Sequence, residues 1–166
     1  KADGMYYMAL LHDDGKIGVD DAILRKPGKL TDEEFAAIKA HTVIGSQILS
    51  RISSMPELQY GALYHHERWD GKGYPRGLKG EEIPEAARII AVADAYDAMT
   101  SNRSYRKALT QDCVHDEIVN GIGRQFWPPA ARAMLKMMDQ DIHYDMRQKN
   151  DESSQNDEQK YEYGIS

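Results

Sequence analysis

Six side chains of this sequence, His12, Asp13, His41, His65, His66 and Asp94, are of the types that hold divalent metal. Each has an ordinary reading when taken alone. A His-Asp dipeptide at a helix end is usually structural, and a lone His41 is more often a satisfied core histidine. A His-His pair is as often surface as ligand, and a lone Asp94 could accept backbone N–H groups. Their joint occurrence changes the reading. They come from four predicted helices, each on an inward-facing stripe or at a helix end beside a glycine-rich turn. Converging imidazoles and carboxylates are costly to bury without a partner, and divalent metal is the simplest one. Six ligands exceed the needs of one tetrahedral ion. Two ions sharing a carboxylate would use them, and such a pair suits phosphoester cleavage by activating water and clamping the oxygens of an in-line displacement.

Cationic side chains stand near these ligands. Lys16 follows the His-Asp pair by one turn, and Arg103 and Arg106 follow the Asp94 helix in Thr100-Ser101-Asn102-Arg103-Ser104-Tyr105-Arg106. An Arg fork suits phosphate oxygens, and Lys offers a mobile point charge. The alternative for all three is solvated surface charge. The segment 70–80 carries four glycines, Gly71, Gly73, Gly77 and Gly80, but lacks a Gly-Lys-Ser/Thr motif. It reads as a rigid surface loop with a partner contact, not as a phosphate cradle.

The elements that must position these groups read as helices. Residues 3–12 form the end of one helix that delivers His12 and Asp13, and Gly15 and Gly18 break it. Thr31 and Glu34 make a capping box that starts a helix expected to reach about Ile52. Its predicted inner face holds Phe35, Ile38, His41, Gly45, Ile48 and Ile52. Pro56 is expected to open a helix carrying Leu58, Ala62, Leu63, His65 and His66. Pro84 should begin another through about Met99, with a small-residue stripe of Ala87, Ala91, Asp94 and Ala98 that lets a neighbouring helix approach. Shorter helices are predicted at about 111–121 and 129–138, and no segment alternates like a strand. From about Met146 the chain turns polar and reads as a flexible tail, giving a helical domain over 1–145 and a tail over 146–166.

Composition bounds the function. The 166 residues are 41% hydrophobic and 29% charged, which suits one globular domain plus a tail. The net charge of −6 provides no general field for DNA, so positive charge for a phosphate ester must be local. No apolar run approaches the length of a bilayer span, and no signal peptide is recognisable. The single Cys113 excludes an internal disulfide and fits a cytoplasmic protein. The first residue is Lys1, with the apolar pattern under way by Met5, so the chain reads as a piece of something longer.

These residues resemble the HD-GYP domain family. His12-Asp13-Asp14-Gly15-Lys16 is similar to its HD-x-GK segment, and Lys26-Pro27-Gly28-Lys29-Leu30-Thr31 and Lys39-Ala40-His41 continue the match. His65-His66-Glu67-Arg68-Trp69-Asp70-Gly71-Lys72-Gly73-Tyr74-Pro75 resembles the signature that ends in the eponymous triplet. Ile83 to Ile89 and Ala93 to Arg106 extend it, so that the likeness spans about residues 8–138.

The resemblance implies an all-α HD-domain bundle, here truncated at its N-terminal side, where the family supplies a further His. It implies two, in some members three, divalent ions, usually iron or manganese. It implies bacterial signalling by hydrolysis of 3′,5′-cyclic di-GMP to linear pGpG or to GMP. By motif position Asp13 would bridge the ions and act in catalysis with Lys16. His12 and Asp94 would hold one ion, and His41, His65 and His66 the other. Lys16, Arg103 and Arg106 would grip the substrate. The Gly73-Tyr74-Pro75 loop would meet partner proteins, notably diguanylate cyclase (GGDEF-type) domains, and a sensor or receiver domain would precede the chain. Asp14 replaces the family's usual apolar residue; it either adds a carboxylate to the site or faces water. Trp127 stands where the family commonly has Asp, which touches a local cap. The alternative is a signalling module that binds a nucleotide or a partner without cutting.

Overall fold

Among the described residues seven α-helices appear in chain order: α1 (Ala2–Leu11), α2 (Asp21–Leu24), α3 (Asp32–Leu49), α4 (Leu58–Tyr64), α5 (Glu85–Thr100), α6 (Gln111–Gly121) and α7 (Pro128–Gln140). They are read from a computed structural model that describes residues 2–102 and 107–147. Among the described residues there is no strand, only a single bridge between Ile122 and Phe126. No helix of these residues is long and apolar enough to cross a membrane.

Helix α3 begins as its sequence dictates. Thr31 Oγ1 accepts from the Glu34 N–H at 3.2 Å, and the Thr31 N–H donates to Glu34 Oε2 at 2.7 Å. Two of the orphan donors at the helix start are thereby satisfied. Lys26 Nζ donates to both Glu34 oxygens, at 2.8 and 2.7 Å, and fastens the preceding loop to the same cap.

The inner face of α3 is turned relative to the sequence expectation. His41, Thr42, Gly45, Ser46 and Leu49 are buried, whereas Phe35, Ile48 and Ile52 are exposed. The reason is the partner. On that face α4 packs against Leu49 and Gly45, and a 3₁₀ turn at Asp14–Gly18 brings the Gly15 backbone against His41 and Gly45. A Cβ at Gly15 would lie 1.9 Å from the His41 carbonyl oxygen, so only glycine fits there. The helix also stops at Leu49 and not at Ile52.

Helix α4 is shorter than Pro56 suggests. It spans Leu58–Tyr64, with Pro56 in the turn before it, His65 as its C-cap and His66 beyond its end. In a continuing helix, neighbours diverge by about 100° around the axis. Ending the helix at this point lets two consecutive imidazoles turn to one place.

Apolar burial falls in two clusters. Leu49, Leu58 and Ala62 form the smaller, with Met8, Leu11 and Met55 against it, where α1, α3 and α4 meet. Val92, Tyr96, Val114, Ile118, Phe126, Ala131 and Met138 form the larger, between α5, α6 and α7. Helix α5 joins the halves, contacting α1 and α4 as well as α6 and α7. Of the small stripe on α5, Ala87 is fully buried, but Ala91, Asp94 and Ala98 border open cavities instead of a helix seam.

Two departures from the family pattern have a place in the fold. Asp14 is exposed and faces water. Trp127 is the N-cap of α7 and makes no side-chain cap bond. Its ring instead lies 4.4 Å from the Arg88 guanidinium and 6.5 Å from the Trp69 ring. Near the other end of the chain, Met146 packs on the larger core, and the Arg147 side chain donates to the Leu109 carbonyl and to Gln111 Oε1. Arg147 is thereby tied to the start of α6 and to the segment before it. The remainder of the predicted tail, 148–166, lies outside the described residues.

Candidate metal centre

His12 and Asp13 follow the end of α1, His41 comes from the middle of α3, His65 and His66 from the end of α4, and Asp94 from α5. The structure brings all six together. Asp13, His41, His65 and His66 form one group of potential ligand atoms within 4.8 Å of one another, and His12, Asp13 and Asp94 form a second. Asp13 belongs to both.

Backbone carbonyls fix the imidazoles. A carbonyl can only accept, so each ring nitrogen facing one carries a proton. His12 Nδ1 faces Ala9 O at 2.6 Å, His41 Nδ1 faces Ile38 O at 2.6 Å, and His65 Nδ1 faces Gly61 O and Ala62 O at 3.0 and 2.9 Å. In the neutral rings every Nε2 is then a lone pair directed into the cluster.

Those lone pairs confront one another. His41 Nε2 lies 3.3 Å from His65 Nε2, and the two lie 3.4 and 3.8 Å from Asp13 Oδ1. His12 Nε2 lies 3.5 Å from Asp13 Oδ2 and 3.6 Å from Asp94 Oδ1. His12 Nε2 and Asp13 Oδ1 are buried without a hydrogen-bond partner. Acceptors packed against acceptors repel until a proton or a metal cation sits among them. The donor set, imidazole nitrogen with carboxylate oxygen, therefore fits divalent metal.

Protonation follows the same geometry. Burial, with the nearby His66 and His12, pushes His65 down to about 3. Burial likewise pushes His66 down to about 4 and lowers His41. These three rings are neutral at physiological pH, which is the form that binds metal. Burial would also lower His12, but its contacts with Asp94, the Ala9 carbonyl and Asp13 outweigh that and raise it. Burial would raise Asp94, but His12, His66 and His65 hold it at about 2. Burial likewise opposes ionisation of Asp13, and Lys16, His12 and His65 more than offset it, so that its pKa is lowered.

The remaining predicted site residues are distributed unevenly. Lys16 forms an ion pair with Asp13 Oδ2 and lines a cavity of about 580 Å³ together with Asp13, His41, His66 and Asp94. Arg103 and Arg106 lie outside the described residues. In the Gly73-Tyr74-Pro75 loop, Pro75 is exposed while the Tyr74 ring stacks on His66, with centroids 4.8 Å apart and planes at 28°. Tyr74 is thus a wall of the site as well as part of a surface loop. A Cβ on Gly73 would lie 2.4 Å from the Arg68 nitrogen, so this loop must approach the His66–Arg68 backbone closely.

Glu67 was not among the residues expected to matter. It is 3% exposed, and its two carboxylate oxygens accept the N–H groups of Arg76 and Leu78 at 2.7 and 3.0 Å. It ties the loop behind Tyr74 to the end of α4. An acidic residue directly after a predicted inward His pair was the available signal, since a buried carboxylate requires donors.

Comparisons with known proteins agree with this geometry. A family model for the HD domain matches residues 2–148. A cyclic di-GMP phosphodiesterase of Thermotoga maritima is 48% identical over 153 residues, covering 90% of this chain and 41% of the relative. A cyclic di-GMP phosphodiesterase of Vibrio cholerae is 46% identical, covering 79% of this chain and 28% of the relative. A 3′3′-cGAMP-specific phosphodiesterase, number 2 of Vibrio cholerae, is 39% identical, covering 86% and 28%. The chain thus spans well under half the length of each of these relatives.

Proposed function

The chain belongs to the HD domain family, and from that premise we propose that it is the metal-holding part of a phosphodiesterase that hydrolyses 3′,5′-cyclic di-GMP to linear pGpG or to GMP. The observation that carries this reading is one carboxylate, Asp13, shared by two groups of ligand atoms. His12, Asp13 and Asp94 would hold one ion, and Asp13, His41, His65 and His66 the other, with iron or manganese the expected metals. When bound, such ions lower the pKa of water and polarise phosphoryl oxygens.

This chain's own residues orient the reaction. The carbonyls of Ala9, Ile38, Gly61 and Ala62 hold three imidazoles in the tautomer that presents Nε2. Lys16, which lines the 580 Å³ cavity and pairs with Asp13, would contact a non-bridging phosphate oxygen of the substrate and exchange part of its pairing with Asp13 for it. Arg103 and Arg106 are proposed as further substrate contacts. The domain preceding this chain is proposed to be a sensor or receiver, and the exposed part of the Gly73-Tyr74-Pro75 loop to meet diguanylate cyclase domains. Cytoplasmic nucleotide signalling is the setting this implies.

The test uses full-length protein loaded with manganese or iron, cyclic di-GMP, and chromatography of the products. Turnover to pGpG or GMP that falls to background in His65→Ala and Asp13→Ala is expected. Turnover retained in either variant overturns the reading. The cGAMP-specific relative motivates a second substrate, 3′3′-cGAMP. Side-by-side kcat/KM values for the two cyclic dinucleotides decide between them.

A further inference from the structure

The cluster opens on two sides. Besides the cavity that holds Lys16, a second of about 450 Å³ is lined by Lys39, His65, His66, Arg68, Lys72 and Tyr74, among others. Both volumes fall in the range of roughly 300–1,000 Å³ typical of small-molecule sites. Phe35, His66, Tyr74 and Asp94 line both cavities and so form the wall between them.

The second cavity has cations of its own. Arg68 is committed, since its guanidinium donates to both oxygens of Asp70 at 3.0 and 2.8 Å. Glu67 is committed too, to the Arg76 and Leu78 N–H groups. Lys39 and Lys72 have no carboxylate within salt-bridge distance among the described residues. Lys72 is exposed, but Lys39 is half-buried and placed by aromatic faces. Its Nζ lies 4.8 Å from the Phe35 ring centroid and 6.0 Å from that of Tyr74. Those two rings meet edge to face at 6.3 Å. Ring faces orient an ammonium without neutralising it, so its charge stays available to an anion.

We propose that the Lys39 cavity is the second lobe of the substrate site, and that it receives the half of a cyclic dinucleotide whose phosphodiester is not being cut. This rests on the cyclic dinucleotide reading. Such a ring carries two phosphodiesters and two purines. One phosphodiester must reach the ligand cluster, and the other then lies on the far side of the ring. Lys16 serves the first lobe and Lys39 the second, with the Phe35 and Tyr74 rings in the wall between them. Lys39 is therefore a specificity residue for two-phosphate substrates, and not a part of the hydrolytic centre.

Two readouts test it in the full-length holoprotein. The first compares kcat/KM for cyclic di-GMP and for bis(p-nitrophenyl) phosphate, a diester with one phosphate. Lys39→Met is expected to raise KM for cyclic di-GMP about tenfold, and to cut its kcat/KM at least about fivefold more than that of the small diester, with Lys39→Arg restoring most of the difference. The second uses calorimetry with GMP and with a phosphorothioate analogue of cyclic di-GMP that resists cleavage. The wild type is expected to favour the cyclic analogue, and Lys39→Met to erase most of that preference. Equal losses on both diesters, or an unchanged binding preference, overturn the second lobe. Should the wild type cleave neither diester, the phosphodiesterase reading fails and the binding preference alone decides on Lys39.

Discussion

The two halves of the molecule are stabilised differently. Between α5, α6 and α7 the buried residues are apolar, with Val114, Ile118 and Ala131 fully enclosed. Around α1, α3 and α4 the apolar cluster has three fully buried members, and the volume beside it is given to His41, Thr42, Ser46, His65 and Glu67. Burial of hydrocarbon stabilises a fold directly, whereas burial of polar groups only breaks even when each is matched. Glu67 is matched by two N–H donors, but His12 Nε2 and Asp13 Oδ1 are not. The C-terminal half thus rests on hydrocarbon burial, whereas the N-terminal half carries unmatched polar atoms that a bound cation would satisfy.

That contrast can be broken from either side. The largest effect belongs to the scaffold. Ile118→Ala should cost about 2–5 kcal/mol in urea denaturation while leaving the metal content of the folded protein unchanged. A loss of bound metal in that variant would show the halves to be one energetic unit. Chelation with EDTA should act in the opposite place: hydrogen exchange should quicken by about tenfold or more in α3 and α4 and change little in α6 and α7. Uniform quickening would remove the distinction.

Acid supplies a smaller and more selective perturbation. In the metal-free protein, His65 and His66 titrate at about 3 and about 4, against an ordinary value of 6.5. The unfolded chain takes up these protons first as pH falls. Stability from the two rings is therefore complete above pH 6.5 and is lost progressively down to pH 4 and below. His12 is raised, so it opposes this: its stabilisation is complete below 6.5 and fades as pH rises through its folded value. Thermal melts of EDTA-treated protein between pH 7 and pH 4.5 should show a falling midpoint, and a steeper fall in His12→Asn. Bound metal should flatten the curve. The smallest effect is the cap: Thr31→Ala should cost about 1 kcal/mol, read in the same urea titration.

What could be read from the sequence divides along similar physical lines. The start of α3 was legible because Thr31 and Glu34 act across three residues, and the identities of the six converging residues were legible because their types are costly to bury unpaired. Long-range partners were not. The buried face of α3 was assigned to Phe35, Ile38, His41, Gly45, Ile48 and Ile52 by apolar periodicity; His41 and Gly45 are buried, but Phe35, Ile48 and Ile52 are exposed, because α4 and the backbone of Asp14–Gly18 pack on a face that apolar spacing alone does not mark. His65 and His66 were placed inside a helix because nothing local marks the end of α4 at Tyr64. Tyr74 was read as a surface contact because a glycine-rich segment announces a turn and not the ring face it presents to His66.

Metal content by plasma mass spectrometry, on full-length protein purified without chelator, tests the shared carboxylate most directly. About two ions per chain are predicted for the wild type, about one for Asp94→Asn, and fewer for Asp13→Ala than for Asp94→Asn. An Asp13→Ala protein that keeps the full wild-type complement, or a wild type that holds no transition metal under any loading condition, would contradict the two-ion centre.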